Sequence, residues 1–370
     1  MALAELVRAA EHEPLVAAEW DEARVEGAIR TIVADAESAF DGERWPFHPA
    51  DEVDDGPNTV YLGVAGMAWA LEELGSSGWG GAVLGAVERY HRQPDGGEQW
   101  AYAPSYLGGE CGLALIGYRL TGDAGLADRL HELVLANLED EWHELLWGAA
   151  GSLLAAEAML AWTGERRWEE AWDALADGLE AARDADGLWT QDRLDARYVG
   201  VGHGFAGNQR ALANRRPVDV DAVLARHALR EGTLANWPPT EGAPPEQIRV
   251  QWCHGAPGIV AALGGVMDEE LALAGGELTW RAGPLAKGSN LCHGTAGNAY
   301  AFLVLQRRTG EDLWLERARA FALHAIGQVE RERATLGRGR YSLFTGDIGV
   351  ALYLRHLLDG EHRFPLLGPF

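Results

Sequence analysis

The chain has 370 residues, 47% of them hydrophobic and 15 of them tryptophan, so it can bury a large core in two average domains or one repeat domain. Its 31 basic and 56 acidic residues give a net charge of −25, which disfavours binding to a nucleic-acid backbone. No apolar run approaches the roughly eighteen residues of a membrane span, and the N-terminus is typical of an amphipathic helix rather than a signal peptide, so we expect a cytoplasmic protein without membrane insertion.

A repeated motif organises most of the chain. A Gly-x-x-Gly step followed by an apolar run occurs seven times, at spacings of 39 to 56 residues. The copies begin, in chain order, at Gly63, Gly109, Gly148, Gly204, Gly255, Gly294 and Gly346. The runs are apolar on nearly all sides, which predicts buried inner helices. Glycine at each step allows neighbouring helix starts to lie close together.

Charged amphipathic segments separate the glycine steps. Residues 122–142, 164–184 and 310–332 have apolar residues at spacings of three and four, which predicts outer surface helices. Strand signals are weak and confined to 277–283 and 187–191. Seven outer–inner pairs predict an all-α fold, a closed α/α toroid, with an open solenoid as the alternative.

We expect the repeats to form a single domain over residues 1–370, with N-terminal helices in 1–60 and the seven repeats in 61–370. If all inner helices run in the same direction, their N-termini converge on one mouth. Unpaired N–H groups and helix dipoles there would favour anions such as thiolates, carboxylates or enolates. This mouth is the predicted functional site.

Only some repeats carry reactive residues just before their glycines. His203 precedes the fourth step, and the pairs Cys253–His254 and Cys292–His293 precede the fifth and sixth. Equivalent positions in adjacent repeats would face one centre. Two cysteines and one histidine are an established catalytic zinc set with one open position, whereas a fourth ligand, His254, would give a closed structural site. The residues alone leave both arrangements open.

Two further residues of the chain attract attention. Lys287 is the only lysine and lies five residues before Cys292, so it is a candidate for holding a carboxylate, against the alternative of chance. The third cysteine, Cys111, leaves the chain with an odd number and no disulfide framework. We expect Cys111 to be a small buried residue.

The two Cys-His motifs, "WCHGAPG" (252–258) and "LCHGTAGNAYAFL" (291–303), closely resemble the lanthionine synthetase C-like family. They are nearer to its eukaryotic-type LanC-like branch than to the bacterial lantibiotic cyclases. "HELLWGAAG" (143–151), "GHGFAG" (202–207) and "YSLFTGDIG" (341–349) are also similar, and the resemblance runs from about Tyr61 to the C-terminus.

The resemblance implies an α/α toroid that holds a catalytic zinc ion with Cys253, Cys292 and His293. The implied activity is addition of a zinc-activated thiol to dehydroalanine or dehydrobutyrine in a dehydrated peptide or protein, forming a thioether. In the cyclases the thiol is a peptide cysteine, and in the LanC-like branch it is a small thiol, glutathione.

Other positions match the family residue by residue. His203 matches its general acid/base candidate, and Glu144 matches an acidic position that is Glu in the LanC-like branch. Lys287 matches a lysine associated with glutathione. A further arginine of that branch lies before the "SLF" motif, where this chain has Arg338 and Arg340, and Arg340 is the candidate for binding substrate, although the spacing does not match cleanly. By analogy to the family, His254 is expected beside the substrate or behind the ligands rather than on the metal.

Two functions are alternatives to thiol addition. A non-catalytic toroid could keep the zinc and bind peptides or small thiols as a sensor or adaptor. A sugar-active α/α barrel would need paired carboxylates in the mouth, and the candidates Glu110, Glu144 and Asp347 are scattered.

Overall fold

The computed structural model describes residues 6–51, 57–95, 102–138, 142–191 and 195–368. Within these ranges the chain forms fourteen α-helices and one antiparallel hairpin. The helices are α1 (Glu22–Ala39), α2 (Val64–Glu73), α3 (Gly80–Arg92), α4 (Glu110–Thr121), α5 (Ala124–Ala136), α6 (Ala149–Thr163), α7 (Arg166–Ala181), α8 (Phe205–Ala213), α9 (Asp221–His227), α10 (Ala256–Leu263), α11 (Glu269–Ala282), α12 (Thr295–Thr309), α13 (Asp312–Leu336) and α14 (Asp347–Asp359). The strands are β1 (Leu229–Glu231) and β2 (Leu234–Asn236).

The inner helices form a closed ring. Each of α2, α4, α6, α8, α10, α12 and α14 follows a glycine step and contacts the next inner helix, and α14 contacts α2. The predicted all-α toroid is therefore confirmed, and the open solenoid is excluded. In the described ranges no helix is both long and apolar enough to cross a membrane.

An outer layer covers this ring. In α7 the buried residues recur at helical spacing on one face, from Trp168 to Leu179, whereas α6 is buried on nearly all sides. The outer partner of α14 is α1, which precedes all seven repeats in the chain. The N-terminal region thus completes the seventh pair instead of standing apart from the repeats. The single domain over 1–370 stays a prediction.

The second glycine of each step is required by close backbone contact. A Cβ atom on Gly297 would lie 1.7 Å from the carbonyl oxygen of Leu291, and one on Gly151 would lie 2.4 Å from that of Leu145. In all seven steps the carbonyl six residues earlier would lie within 2.4 Å of such an atom. Any larger residue would push the inner helix away from its own preceding loop.

The helix starts are capped by their own loops. At the start of α12, Thr295 donates its N–H to the carbonyl of Gly288 at 3.0 Å, and Ala296 donates to Ser289 at 2.9 Å. Phe205 at the start of α8 is satisfied in the same way. The expectation of unpaired N–H groups at these helix starts is therefore wrong, because the glycine step folds the preceding carbonyls back onto the first turn. The helix dipoles still point into the mouth.

The predicted strands are also wrong. Residues 277–283 belong to α11 and its C-cap, because Asp268 caps the helix start by accepting the N–H of Leu271 and the helix packs on its neighbours. Residues 187–191 contain only an isolated bridge at Gln191. The hairpin lies elsewhere, in a short segment whose second strand is fully buried.

Candidate active site

Equivalent residues of the seven repeats meet at the mouth through backbone hydrogen bonds. The residue two places before each first glycine donates its N–H to the carbonyl of its counterpart in the next repeat at six of the seven junctions. The donor–acceptor pairs are Gly202–Cys253, Cys253–Cys292, Cys292–Phe344, Phe344–Tyr61, Tyr61–Leu107 and Leu107–Leu146, at 2.9 to 3.3 Å. At the seventh junction Leu146 donates instead to the carboxylate of Glu144, at 3.1 Å.

The two candidate sulfur ligands are neighbours in this ring. The thiol of Cys292 hydrogen-bonds to the sulfur of Cys253, and this contact, helped by Gln251 and by the charges of His203 and Lys287, lowers the pKa of Cys253. The same pairing and burial raise the pKa of Cys292. Cys253 is therefore the member of the pair that ionises first. By contrast, Cys111 is buried, as expected, next to Ser152, and burial raises its pKa to about 12.

The remaining candidate ligand, His293, is a neutral imidazole at neutral pH. Burial and the charges of Lys287 and Arg340 lower its pKa to about 4. No group of three or more His, Cys, Asp or Glu side chains in the described part of the chain is arranged to hold a metal ion as it stands. The donor chemistry nevertheless suits zinc, which binds thiolates and neutral imidazoles. Cys253, Cys292 and His293 stay the predicted ligand set.

The gap in the backbone ring holds an acid–base pair. The fully buried carboxylate of Glu144 accepts hydrogen bonds from the backbone of Leu146, Trp147 and Gly148, and it contacts Nδ1 of His203 at 2.9 Å. Burial acts to lower the pKa of His203, but the hydrogen bond and charge of Glu144 outweigh it, so the pKa lies above its usual value. The structure thus brings the two predicted catalytic residues together in an arrangement that favours the protonated form of His203.

Aromatic rings enclose this histidine. The indole of Trp147 stacks on His203 at 5.3 Å between ring centroids, and Tyr198 and His254 lie at 5.6 and 5.8 Å. Burial and the nearby charge of His203 lower the pKa of His254 to about 3. Its buried Nδ1 has no hydrogen-bond partner among the described residues. His254 therefore lies beside the acid–base candidate as a neutral ring, and its role with substrate stays a prediction.

The lysine is linked to a candidate ligand through one residue. Lys287 donates from Nζ to Oε1 of Gln251 at 3.1 Å, and Nε2 of Gln251 donates to the sulfur of Cys253 at 3.0 Å. Sequence reasoning missed Gln251, because nothing marks a glutamine two residues before a cysteine. It also missed Tyr61, whose hydroxyl bonds to the sulfur of Cys292. The repeat frame could have indicated Tyr61, since it occupies the same place in its own repeat.

The arginine predicted to bind substrate is paired within the protein. Arg340 forms a buried ion pair with Asp51, whose carboxylate also accepts from the hydroxyl of Thr345 at 2.9 Å. Both charges lie close enough to affect His293. Arg340 precedes the seventh glycine step, whereas Glu144 and His203 precede the third and fourth, so three repeats separate them around the ring. Contact of Arg340 with substrate stays a prediction.

These features define a class of protein, a closed α/α toroid with cysteine and histidine side chains gathered at one end. The family model described as lanthionine synthetase C-like protein matches residues 54–367. LanC-like protein GCL1 of Arabidopsis thaliana is 30% identical over 296 residues, which cover 70% of this chain and 68% of that protein. The chain therefore belongs to the lanthionine synthetase C-like family.

A second relative and one solved structure refine this placement. Glutathione S-transferase LANCL1 of Danio rerio is 33% identical over 192 residues, 48% of this chain and 46% of that protein, so the alignment spans about half of each. GCL1 and LANCL1 both come from eukaryotes, which confirms the predicted eukaryotic-type branch. Nisin cyclase has the same fold, with a TM-score of 0.60 at 15% identity over 93% of this chain and 97% of its own.

Proposed function

We propose that this protein is an enzyme that adds a thiol to dehydroalanine or dehydrobutyrine residues of a peptide or protein and forms a thioether. The observation that carries the proposal is the pairing of the Cys253 and Cys292 sulfurs beside a histidine that contacts a buried carboxylate. The family and the name of the zebrafish relative, a glutathione S-transferase, support a thiol as one substrate. We propose glutathione as that thiol.

Zinc is the proposed cofactor, held by Cys253, Cys292 and His293, and when bound it would supply a Lewis acid that stabilises the substrate sulfur as a thiolate. The substrate sulfur forms a bond to the β-carbon, and the π electrons of the alkene move towards the carbonyl as an enolate. His203 then donates its proton to the α-carbon, and the proton lost by the thiol restores the imidazolium. Atoms and electrons balance without an oxidant or reductant.

The chain's own residues divide this work. Backbone N–H groups of Leu146 and Gly148 fix the carboxylate of Glu144. The fixed carboxylate orients the imidazole of His203 and raises its pKa, which favours the charged form before the reaction. The stacked Trp147 limits access of water to the imidazole. Lys287, exposed at the rim, is suited to hold a carboxylate of glutathione. The acceptor alkene would lie between the sulfur and His203.

The test uses purified protein, a dehydroalanine-containing peptide and glutathione. We expect about one zinc ion per chain by elemental analysis and a thioether adduct by mass spectrometry. Cys292→Ala should lose both, whereas Cys111→Ala, which removes a buried thiol outside the proposed ligand set, should keep both. Thioether formation by Cys292→Ala at the wild-type rate would exclude the zinc mechanism. Zinc and thiol binding without product would instead support a sensor or adaptor.

A further inference from the structure

A segment near the N-terminus crosses the loop between α11 and α12 that carries Lys287, which we call the lysine loop. We call residues 9–16 the strap. Glu13 donates its N–H to the carbonyl of Pro284 at 2.9 Å, and Ala286 donates to the carbonyl of Glu11 at 2.9 Å. These bonds flank an antiparallel bridge. The strap therefore forms a short two-stranded pairing with the loop, which ends one residue before the chain's single lysine.

The carboxylate of Glu13 anchors the strap to α13. Its Oε1 lies 2.6 Å from Nε2 of His324, 2.9 Å from Nε2 of Gln328 and 2.8 Å from the guanidinium of Arg331. The N–H of Val16 donates to Nδ1 of His324 at 3.2 Å, so that nitrogen is an acceptor and the ring proton sits on Nε2, donating to Glu13. Partial burial opposes the charge, yet these donors hold the pKa of Glu13 below its usual value.

One buried amide binds the strap and the loop at once. Nε2 of Gln328 donates to Glu13 at 2.9 Å and to the carbonyl of Leu285 at 2.7 Å. Gln328 is only 6% exposed, so water competes little for these two bonds. Release of Glu13 would remove one of the two acceptors that hold the side-chain amide of Gln328 in place. The hydrogen bond from this amide to Leu285 of the loop would then be weakened.

The loop in turn orients the side-chain amide of a second glutamine, Gln251, beside the sulfur of Cys253. Lys287 has only donors on its ammonium group, so the oxygen of Gln251 must face it. The nitrogen of Gln251 then faces Cys253 and donates to its sulfur at 3.0 Å. A shift of the loop would move the ammonium group and free this amide to turn.

We propose that the strap is the positioning element for Lys287, holding its ammonium group at the mouth through Glu13 and Gln328. The strap precedes residues 54–367, which the family model matches. The consequence for the thiol rests on the proposed function, since Lys287 is expected to bind its carboxylate. The position of the loop can be tested without turnover.

Hydrogen exchange measures the holding directly. In Glu13→Ala the amide of Ala286 should exchange faster than in the wild type, because its acceptor belongs to the released strap. Glu13→Gln keeps an oxygen acceptor for His324 and Gln328 and should behave like the wild type. The matched control is Glu330→Gln, which removes an exposed ion pair between the same helix α13 and Arg24. Unchanged exchange in Glu13→Ala would overturn the proposal.

Labelling and kinetics measure the consequence. Because Lys287 is the only lysine, an amine reagent labels it and the N-terminal amine, and peptide mapping separates the two sites. Glutathione should slow labelling of Lys287 in the wild type and much less in Glu13→Ala, whose KM for glutathione should rise about tenfold with kcat little changed. Adding Glu13→Ala to Lys287→Met should raise KM no further.

The outcomes separate the two proposals. Faster exchange with unchanged protection and KM, or an additive effect on top of Lys287→Met, would exclude the positioning role. If the wild type forms no thioether and glutathione gives no protection, the proposed function fails and the thiol role fails with it, while exchange still decides whether the strap holds the loop. Should Glu13→Ala not fold, Gln328→Met removes both amide donors without introducing a charge and serves as the second variant.

Discussion

At the residue scale, the arrangement of Glu144 and His203 explains how a buried carboxylate can be tolerated at the mouth. Three backbone N–H groups and one imidazole surround the two carboxylate oxygens, so the charge is compensated on every side. The pair also occupies the one junction of the backbone ring where Leu146 donates to a side chain. The fold therefore places its acid–base candidate where the ring of amides is interrupted.

We predict that Glu144→Gln changes both stability and pH dependence. The amide would turn a donor towards backbone donors, which should cost about 1–3 kcal/mol of unfolding free energy. With the carboxylate gone, burial lowers the pKa of His203 and only the smaller effect of Cys253 opposes it, so the pKa should fall below 6.5 instead of lying above it. The alkaline limb of the pH–rate profile should then move to lower pH.

The raised pKa of His203 determines how the stability of the wild-type protein changes with pH. In the wild type the charged pair stabilises the fold fully below pH 6.5, and this contribution is lost as the pH rises through the pKa of folded His203. An NMR titration of the imidazole and a set of unfolding curves against pH would measure both effects. Glu144→Asp, which keeps a carboxylate, is the control. An unchanged titration in Glu144→Gln would contradict the assignment of Glu144 as the cause.

The site was only partly predictable from residue types. Cys253, Cys292 and His293 were marked by their equivalent places in two repeats, which is a local property of the sequence. Gln251 was not marked, because a glutamine has no chemistry until its two ends are given partners. Its orientation depends on Lys287, 36 residues away in the chain, and only packing brings them together.

At the scale of the element, the glycine step makes an inner helix start possible. The loop before each inner helix folds back so closely that its carbonyl occupies the space of a side chain. The same fold supplies acceptors for the first-turn N–H groups. One requirement, a missing side chain, thus serves both the close approach and the capping, which is why the step recurs in every repeat.

We predict opposite effects for two glycine substitutions in one helix pair. Gly151→Ala in α6 would place a Cβ 2.4 Å from both the carbonyl oxygen of Leu145 and the Cβ of Tyr106, and should destabilise the protein by roughly 3 kcal/mol. Gly178→Ala in α7 meets nothing within 4 Å and should stabilise it by about 0.5–1 kcal/mol. Denaturant unfolding of both variants provides the measurement. A neutral Gly151→Ala would show that the contact is not needed.

At the scale of the whole molecule, closure and charge act together. Each inner helix has a neighbour on both sides, and α1, which precedes all seven repeats, supplies the outer partner of α14. The chain carries 31 basic against 56 acidic residues, a net charge of 31 − 56 = −25 with histidine neutral. Self-repulsion of this charge opposes the compact state.

We therefore predict that salt stabilises the protein. Raising the ionic strength from about 0.01 M to about 0.15 M shortens the Debye length from roughly 30 Å to roughly 8 Å and screens the repulsion. The exposed ion pairs lost to screening contribute only about 0–1 kcal/mol each. Calorimetry at fixed pH should show a Tm higher by a few °C in sodium chloride. A lower Tm would mean that the surface ion pairs outweigh the net charge.

The sequence by itself determined the inner helices, the glycine steps and the two Cys-His motifs, because helical periodicity and a missing side chain are local properties. It misplaced the strands, because the helix of 277–282 depends on its cap and its packing. The tertiary structure decided the closure of the ring by α1, the meeting of Glu144 with His203 and the hold of the strap on the lysine loop. These contacts join residues far apart in the chain, and only the curvature of the closed ring brings them within hydrogen-bonding distance.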